Sequence, residues 1–249
     1  MDTDCGRKKN KLTMSRIELI IPAFNEEKRI GKTLKAYLDF FGEELRCTVV
    51  LNGCYDQTKE VVEKLAKQFP ERVHLWDLKT TTGKGRAIRY GWRNADADYL
   101  GFVDADCATT PPEFAKLITA IKNYDGAIAS RFLKGATVHQ RQSILRTWLS
   151  HGFIMFVRFL FRLPFYDTQC GAKLFTKKAI KNILPKLKED GMIFDVELLW
   201  KLHQAGNKII EVPTAWTDQP GSNSLGTKKQ FLTQALKMLQ QLFRLRHQN

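Results

Sequence analysis

Two aspartates one residue apart, Asp104 and Asp106, close an apolar run, Tyr99-Leu100-Gly101-Phe102-Val103. Adjacent carboxylates repel each other unless a cation lies between them. Their hard oxygens suit Mg2+ or Mn2+, ions that in turn bridge phosphate oxygens. A lone Asp-x-Asp is as a rule a solvated turn at a strand end, so the company it keeps decides. Three further polar segments stand at comparable places: Pro22-Ala23-Phe24-Asn25-Glu26, Asn52-Gly53-Cys54 and Gly83-Lys84-Gly85. The last is not a P-loop. Leu78 stands where that motif's first glycine belongs, and Gly85 follows the lysine in place of Ser/Thr. An amine at Lys84 can still meet a diphosphate, and glycines on either side let backbone approach closely.

The elements that must position these groups alternate along the first half of the chain. Ile17-Glu18-Leu19-Ile20-Ile21 reads as a strand ending at Pro22. The spacing of Ile30, Leu34, Tyr37, Leu38 and Phe41 predicts a helix over 26–41. Cys47-Thr48-Val49-Val50-Leu51 is a second strand, turning at Asn52-Gly53. A helix over 56–69 buries Val61, Val62 and Leu65, with Asp56 as its N-cap. Val73-His74-Leu75-Trp76 is a third strand, a helix follows over 86–94, and the run before Asp104 is a fourth strand. This rhythm predicts an α/β fold with a doubly wound, mostly parallel sheet. Such sheets bind ligands beyond the carboxyl ends of their strands, where all four polar segments fall.

The 249 residues suffice for one large α/β domain. The formal net charge of +14 is unevenly spread: residues 131–188 hold twelve Lys/Arg and one Asp/Glu, and residues 227–249 hold five and none. Such segments attract nucleic acid, anionic lipid or phosphorylated substrates. A nucleic-acid-binding module is the rival from another class, but no groove-reading or base-stacking motif accompanies the charge, and no nucleic-acid partner is expected. Five scattered cysteines without a Cys-x-x-Cys read as reduced thiols, neither disulfide framework nor zinc site. The longest apolar run is five residues, and a membrane span needs about 20 mostly apolar residues. Residues 1–14 are polar and lysine-rich, without the pattern of a signal peptide. A cytoplasmic protein is expected.

Both basic segments are also amphipathic. Over 141–162, Trp148, Leu149, Phe153, Phe156 and Phe159 belong to a broad apolar face set among Arg141, Arg146, Arg158 and Arg162. Over 228–246, Phe231, Leu232, Leu239, Leu242 and Phe243 share one side, with no acid present. An apolar stripe commonly packs into a core, but basic flanks favour a peripheral seat on anionic lipid.

Several ordered motifs carry a family resemblance. Ile20-Ile21-Pro22-Ala23-Phe24-Asn25-Glu26-Glu27, Gly83-Lys84-Gly85 and Val103-Asp104-Ala105-Asp106 resemble the nucleotide-sugar half of family 2 inverting glycosyltransferases of the GT-A fold. Ala129-Ser130-Arg131, the run from Asp167-Thr168-Gln169-Cys170-Gly171 to Phe175, and Phe194-Asp195-Val196-Glu197-Leu198-Leu199 resemble the dolichyl-phosphate glucosyltransferase and mannosyltransferase branch, the glucosyl members more closely. The resemblance implies a polar tail at 1–15, a GT-A domain at 16–226 divided into a nucleotide-sugar half (16–130) and an acceptor half (131–226), and a basic amphipathic helix at 227–249.

It also implies roles. Asp106 binds the metal directly, and Asp104 meets the metal or the ribose. Pro22, Ala23 and Glu26 line the base and ribose pocket, and Lys84 lies near the diphosphate. Arg131 meets the acceptor phosphate, and Gln169 and Asp195 lie near the sugar. The family usually carries an acidic pair and Gly-Ser after its second strand, where this chain has Leu51-Asn52-Gly53-Cys54. Asn52 both donates and accepts hydrogen bonds, which leaves UDP-glucose and GDP-mannose open as donors, the former favoured. The implied reaction moves a hexose to dolichyl or another polyprenyl phosphate at the cytoplasmic membrane face. A saccharide hydroxyl acceptor would need a general base, for which Asp195 and Glu197 are candidates. Capping and dipole compensation at a helix start is their alternative role.

Overall fold

β1 (Ile17–Ala23) is buried over nearly its whole length, as a strand covered on both faces must be. Its side chains alternate between two cores. Leu19 and Ile21 pack with Leu34 and Tyr37 on one face of the sheet, and Ile20 packs with Ile88, Trp92 and Phe194 on the other. The computed structural model describes residues 16–139, 144–217 and 228–247, with the helical backbone alone at 144–151 and 228–235. The expected polar tail at 1–15 and the stretch 218–227 lie outside the described residues.

The elements follow in the order α1 (Ile30–Phe41), β2 (Leu45–Leu51), α2 (Thr58–Gln68), β3 (Val73–Asp77), α3 (Lys84–Arg93), β4 (Tyr99–Phe102), α4 (Pro111–Ala120), β5 (Gly126–Ser130), β6 (Thr137–His139), α5 (Ile144–Phe161), β7 (Lys173–Thr176), α6 (Lys177–Ile183), α7 (Phe194–Gln204), β8 (Ile209–Pro213), β9 (Ala215–Thr217) and α8 (Lys228–His247). The main sheet has the order β3-β2-β1-β4-β7-β5-β8, and β6 and β9 form a small second sheet. Every pairing in the main sheet is parallel except those of β7, which runs antiparallel to both β4 and β5. The strand order reverses between β1 and β4, which opens a crevice at their carboxyl ends. Because β7 is inverted, Lys173 at its beginning pairs with Phe102 at the end of β4. The loop leading into β7 therefore reaches the same edge of the sheet.

Three helix starts differ from the sequence expectation. α1 begins at Ile30, because Glu26–Arg29 form a turn in which Glu26 O accepts from Arg29 N and Ile30 N at 2.9 Å each. α2 begins at Thr58, whose N–H and hydroxyl both donate to Asp56. α3 begins two residues early, at Lys84 itself.

The two amphipathic segments are helices whose inner faces join the core. Ile154, Val157 and Phe161 of α5 and Leu242 and Leu245 of α8 are buried in one cluster, and Phe156 meets Phe243 edge-on at 5.8 Å. Met155 and Phe159 of α5 and Leu236 and Phe243 of α8 remain exposed. The side chains of Arg141, Arg146, Trp148, Leu149, Phe231 and Leu232 lie outside the described residues.

Candidate active site

The loops after β1 and β2 are tied to each other and make a firm floor. Glu26 N donates to Thr58 Oγ1 at 2.7 Å, Tyr55 N to Asn25 Oδ1 at 3.0 Å, and Gln57 N to Glu27 Oε2 at 3.0 Å. Phe24 and Tyr55 meet as an edge-on ring pair, both exposed. Ala23, at the end of β1, accepts Asn52 N–H at 2.9 Å, which also seats Pro22 beside β2. Asn25 and Cys107 take left-handed backbone, φ 55° and 58°, at the two strand ends that flank the crevice.

The side-chain carbonyl of Asn52 is committed to the protein itself. Its Oδ1 accepts from Thr82 N, Thr82 Oγ1 and Gly83 N at 2.7, 3.0 and 3.1 Å, holding the loop that leads to Lys84. The glycines beside Lys84 also serve internal packing. A Cβ on Gly83 (φ +100°) would lie 2.2 Å from Asp190 O, and one on Gly85 would lie 2.4 Å from Glu189 O and 2.6 Å from Phe194 Cβ. Gly85 N donates to Asp190 O at 2.8 Å. The close approach these glycines permit is made to the 189–194 segment.

From that seat Lys84 Nζ reaches Asp104 Oδ1 at 2.8 Å and Asp195 Oδ2 at 3.4 Å. Asp195, buried in the first turn of α7, also accepts from Lys173 Nζ at 2.6 Å. Lys173 is wholly buried and donates to Cys170 O at 2.6 Å as well. Both ammonium groups lie over the Phe102 ring, 5.1 and 5.2 Å from its centroid. Charges thus alternate along Asp104, Lys84, Asp195 and Lys173, from a carboxylate 41% exposed to a fully buried amine. Desolvation works to lower the pKa of Lys84 and raise that of Asp195. The neighbours reverse both: two carboxylates push Lys84 up, and two ammoniums hold Asp195 down.

Among the described residues Asp106 has no such partner. Its Oδ1 accepts Ala108 N–H at 3.0 Å, while burial and then the Asp104 charge push its carboxyl up. Glu26 is also raised, chiefly by burial, with Asp106 and Asp104 adding to it; Arg29, bound through two hydrogen bonds at 2.6 and 2.7 Å, pulls the other way. The crevice therefore carries negative charge that the protein only partly neutralises. Hard, half-buried oxygens under that stress fit a divalent cation. Among the described residues no three His, Cys, Asp or Glu side chains form a closed cage. Asp104 and Asp106 offer two carboxylates of the kind Mg2+ takes when water and phosphate supply the rest.

Arg131 follows β5 and is clamped on Asp167: Nε to Oδ2 at 2.7 Å, Nη2 to Oδ1 at 3.0 Å, and its backbone N to Oδ2 at 3.0 Å. Its guanidinium lies between the Phe132 and Trp216 rings. Asp167 is wholly buried and also accepts Gln169 N and Cys170 N, which shapes the loop into β7. In that loop Gln169 Nε2 and Thr168 Oγ1 are buried and find no hydrogen-bond partner among the described residues. A Cβ on Gly171 would lie 1.8 Å from Asp104 Oδ2, so Asp104 rests on bare backbone. Glu197 takes Lys188 N and Glu189 N on its carboxylate and anchors backbone.

The structure thus gathers Lys84, Asp104, Asp106, Glu26 and Asp195 in one field of charge, with Asn52 and Arg131 bound to partners at its edges. Sequence reasoning missed Lys173 and Gly171 as parts of it. The available signal was a lysine set inside an apolar, strand-like run, Ala172-Lys173-Leu174-Phe175.

Comparison with known proteins is consistent in fold and family. The model of "Glycosyl transferase family 2" matches residues 18–184. The chain is 34% identical over 222 residues to a dolichyl-phosphate beta-glucosyltransferase of Drosophila melanogaster, covering 83% of this chain and 68% of the relative. It is 31% identical over 223 residues to the Homo sapiens protein of that name, with the same coverage. Among solved structures, glucosyl-3-phosphoglycerate synthase from Mycobacterium tuberculosis in complex with UDP has a TM-score of 0.67 at 13% identity, over 94% of this chain and 81% of that one. A mannosyltransferase from Pyrobaculum calidifontis in complex with GDP-Man and Mn2+ has a TM-score of 0.62 at 16% identity, over 84% and 58%. The mixed, mostly parallel sheet shared with these structures defines a glycosyltransferase of the GT-A fold. The chain belongs to glycosyl transferase family 2.

Proposed function

We propose that this glycosyltransferase moves a hexose, glucose by preference, from a nucleotide sugar to dolichyl or another polyprenyl phosphate, with inversion at the anomeric carbon. The names of the relatives point to that acceptor and sugar. The observation that carries the reading is the state of the two carboxylates that could have served as a base. Asp195 is held down by two lysines and is a poor proton acceptor, whereas Glu197, although burial pushes its carboxyl up, has both oxygens engaged by the Lys188 and Glu189 backbone N–H groups and serves as an anchor for that segment. A hydroxyl acceptor needs a base. A phosphate monoester, with a second pKa of about 6, is already anionic and nucleophilic near neutrality.

An acceptor phosphate oxygen bonds to the anomeric carbon as the bond to the nucleoside diphosphate breaks, and the diphosphate leaves with the electron pair. Lys84 stands where that growing charge needs a cation. A divalent ion, Mg2+ or Mn2+, held by Asp104 and Asp106 would neutralise the leaving diphosphate as a Lewis acid. Pro22, Ala23 and Glu26 border the nucleotide pocket, UDP-glucose is the favoured donor, and GDP-mannose is the second candidate. Gln169, with its buried and unpartnered amide, faces the need of a sugar hydroxyl for a donor. The protein sits peripherally on the cytoplasmic membrane face, seated by the exposed apolar residues of α5 and α8 among basic neighbours. No helix among the described residues is long and apolar enough to cross a membrane.

The test is a donor screen with polyprenyl phosphate and Mg2+ or Mn2+, reading lipid-linked sugar that extracts into organic solvent and is labile to mild acid. Asp106→Asn should lower transfer at least about a hundredfold, in the range of lost electrostatic stabilisation at a reacting centre, with an unchanged melting temperature. Full activity of that variant in chelator would eliminate the metal reading. Transfer to a free saccharide instead of the lipid would move the protein to a hydroxyl acceptor.

A further inference from the structure

We infer that Lys84 is a metal-displaced counter-ion: its ammonium neutralises Asp104 until a divalent cation takes that carboxylate, and buried Lys173, acting through Asp195, sets how readily it yields. The inference rests on the proposed metal reading of Asp104 and Asp106. Lys84 Nζ has two carboxylates in reach, Asp104 at 2.8 Å and Asp195 at 3.4 Å, so it need move little to exchange one for the other. Its ammonium stays over the Phe102 ring in this position. The second carboxylate is not free to rotate away, because Lys173 Nζ holds its other oxygen at 2.6 Å. Lys173 in turn is fixed by Cys170 O and by complete burial.

The arrangement is a balance with one fixed arm. Lys173 satisfies part of the Asp195 charge, which leaves Lys84 leaning on Asp104. A cation arriving at Asp104 repels the ammonium, which turns to Asp195 and to the incoming diphosphate. The site then exchanges one cation for another, and at no stage is the Asp104–Asp106 pair left bare. Lys173 touches neither metal nor donor and is a positioning residue.

The experiment is Mn2+ titration of donor-free protein followed by electron paramagnetic resonance, with melting temperature measured alongside. Lys84→Met removes the competitor and should tighten Mn2+ by about tenfold or more, since one unit charge a few ångströms away in a partly buried site is worth at least that much. Lys173→Met leaves Asp195 unbalanced, draws Lys84 inward and should also tighten Mn2+, by about threefold, although it contributes no ligand. Lys173→Arg, which keeps the charge, should hold the affinity near that of the wild type. A merely structural Lys173 would give weaker Mn2+ binding and a lower melting temperature together. Unchanged or weaker binding in Lys84→Met, which alters a partly exposed side chain and should fold, overturns the inference. Mn2+ binding that survives Asp106→Asn, or none in the wild type, overturns the metal reading and the inference with it.

Discussion

Asp167 shows how one buried side chain can serve two ends of a site. It is wholly buried, yet its carboxyl is held low, because the Arg131 guanidinium and backbone N–H groups outweigh the desolvation that would raise it. Its hydrogen bonds to Gln169 N and Cys170 N shape the loop under Asp104, and its grip on Arg131 holds that guanidinium against the Phe132 and Trp216 rings. Asp167→Asn leaves a mostly buried guanidinium without its counter-charge, a loss of about 3 kcal/mol. At this chain length that is a fall of roughly 6–12 °C in melting temperature. A depressed folded pKa means that the folded state binds fewer protons than the unfolded one. The pair's contribution is therefore present above the ordinary carboxylate range and is lost as pH falls through the lowered pKa of Asp167. Melts of wild type and variant should differ by a constant amount near neutrality and converge below about pH 4. Equal melting temperatures at pH 7 would mean that Arg131 finds another partner and that the pair is not what holds the loop.

The strands that position the site were legible because both faces of each are covered, which turns β1, β2 and the run before Asp104 into short apolar stretches with polar ends. The helix starts were less legible. Glu26 is read by its own turn before α1, and Lys84 enters α3 because Gly83 and Gly85 fit against the 189–194 segment, a contact between positions about a hundred residues apart. β7 was not read at all. It has four residues, and its inversion between β4 and β5 depends on pairings that no local pattern encodes. The same physics separates two glycine substitutions. Gly85→Ala places a Cβ against backbone and a packed ring, 2.4 Å from Glu189 O and 2.6 Å from Phe194 Cβ. The start of α3 must move away, which should cost about 1–3 kcal/mol and raise the donor KM as Lys84 shifts. Gly171→Ala meets the end of one half-exposed side chain, Asp104 Oδ2, which can rotate aside. It should leave the stability within about 1 kcal/mol of the wild type while raising the divalent ion needed for half-maximal transfer. An unaltered metal requirement in Gly171→Ala would release Asp104 from the ligand set.

At the scale of the whole molecule, the unequal halves of the charge and the two-faced helices belong together. Basic residues are concentrated over 131–188 and 227–249, the segments that contain α5 and α8. An amphipathic sequence alone does not say which neighbour its apolar side meets, and here each helix has divided it. Val157 and Phe161, and Leu242 and Leu245, are in the core, whereas Met155 is 69% and Phe159 85% exposed. Arg244 of α8 also reaches Glu189 at 3.1 Å, beside the backbone on which Gly85 rests. Removing 227–249 would therefore uncover core and disturb the Lys84 loop, so it does not isolate membrane binding. Outer-face substitutions do. Burying an exposed phenylalanine in lipid is worth about 1.5–3 kcal/mol, a weak anchor alone but a sufficient one beside a basic patch. The intact protein should sediment with anionic liposomes, less with neutral ones, and less again as salt shortens screening from about 10 Å at 0.1 M to about 3 Å at 1 M. Phe159→Asp combined with Met155→Ser should reduce that binding several-fold and leave the melting temperature and donor binding unchanged, because neither side chain packs inside. Sedimentation unaffected by the double variant would move the anchor away from α5. A wild type that ignores anionic liposomes at low salt would assign the outer faces to a protein contact and the reaction to a soluble acceptor.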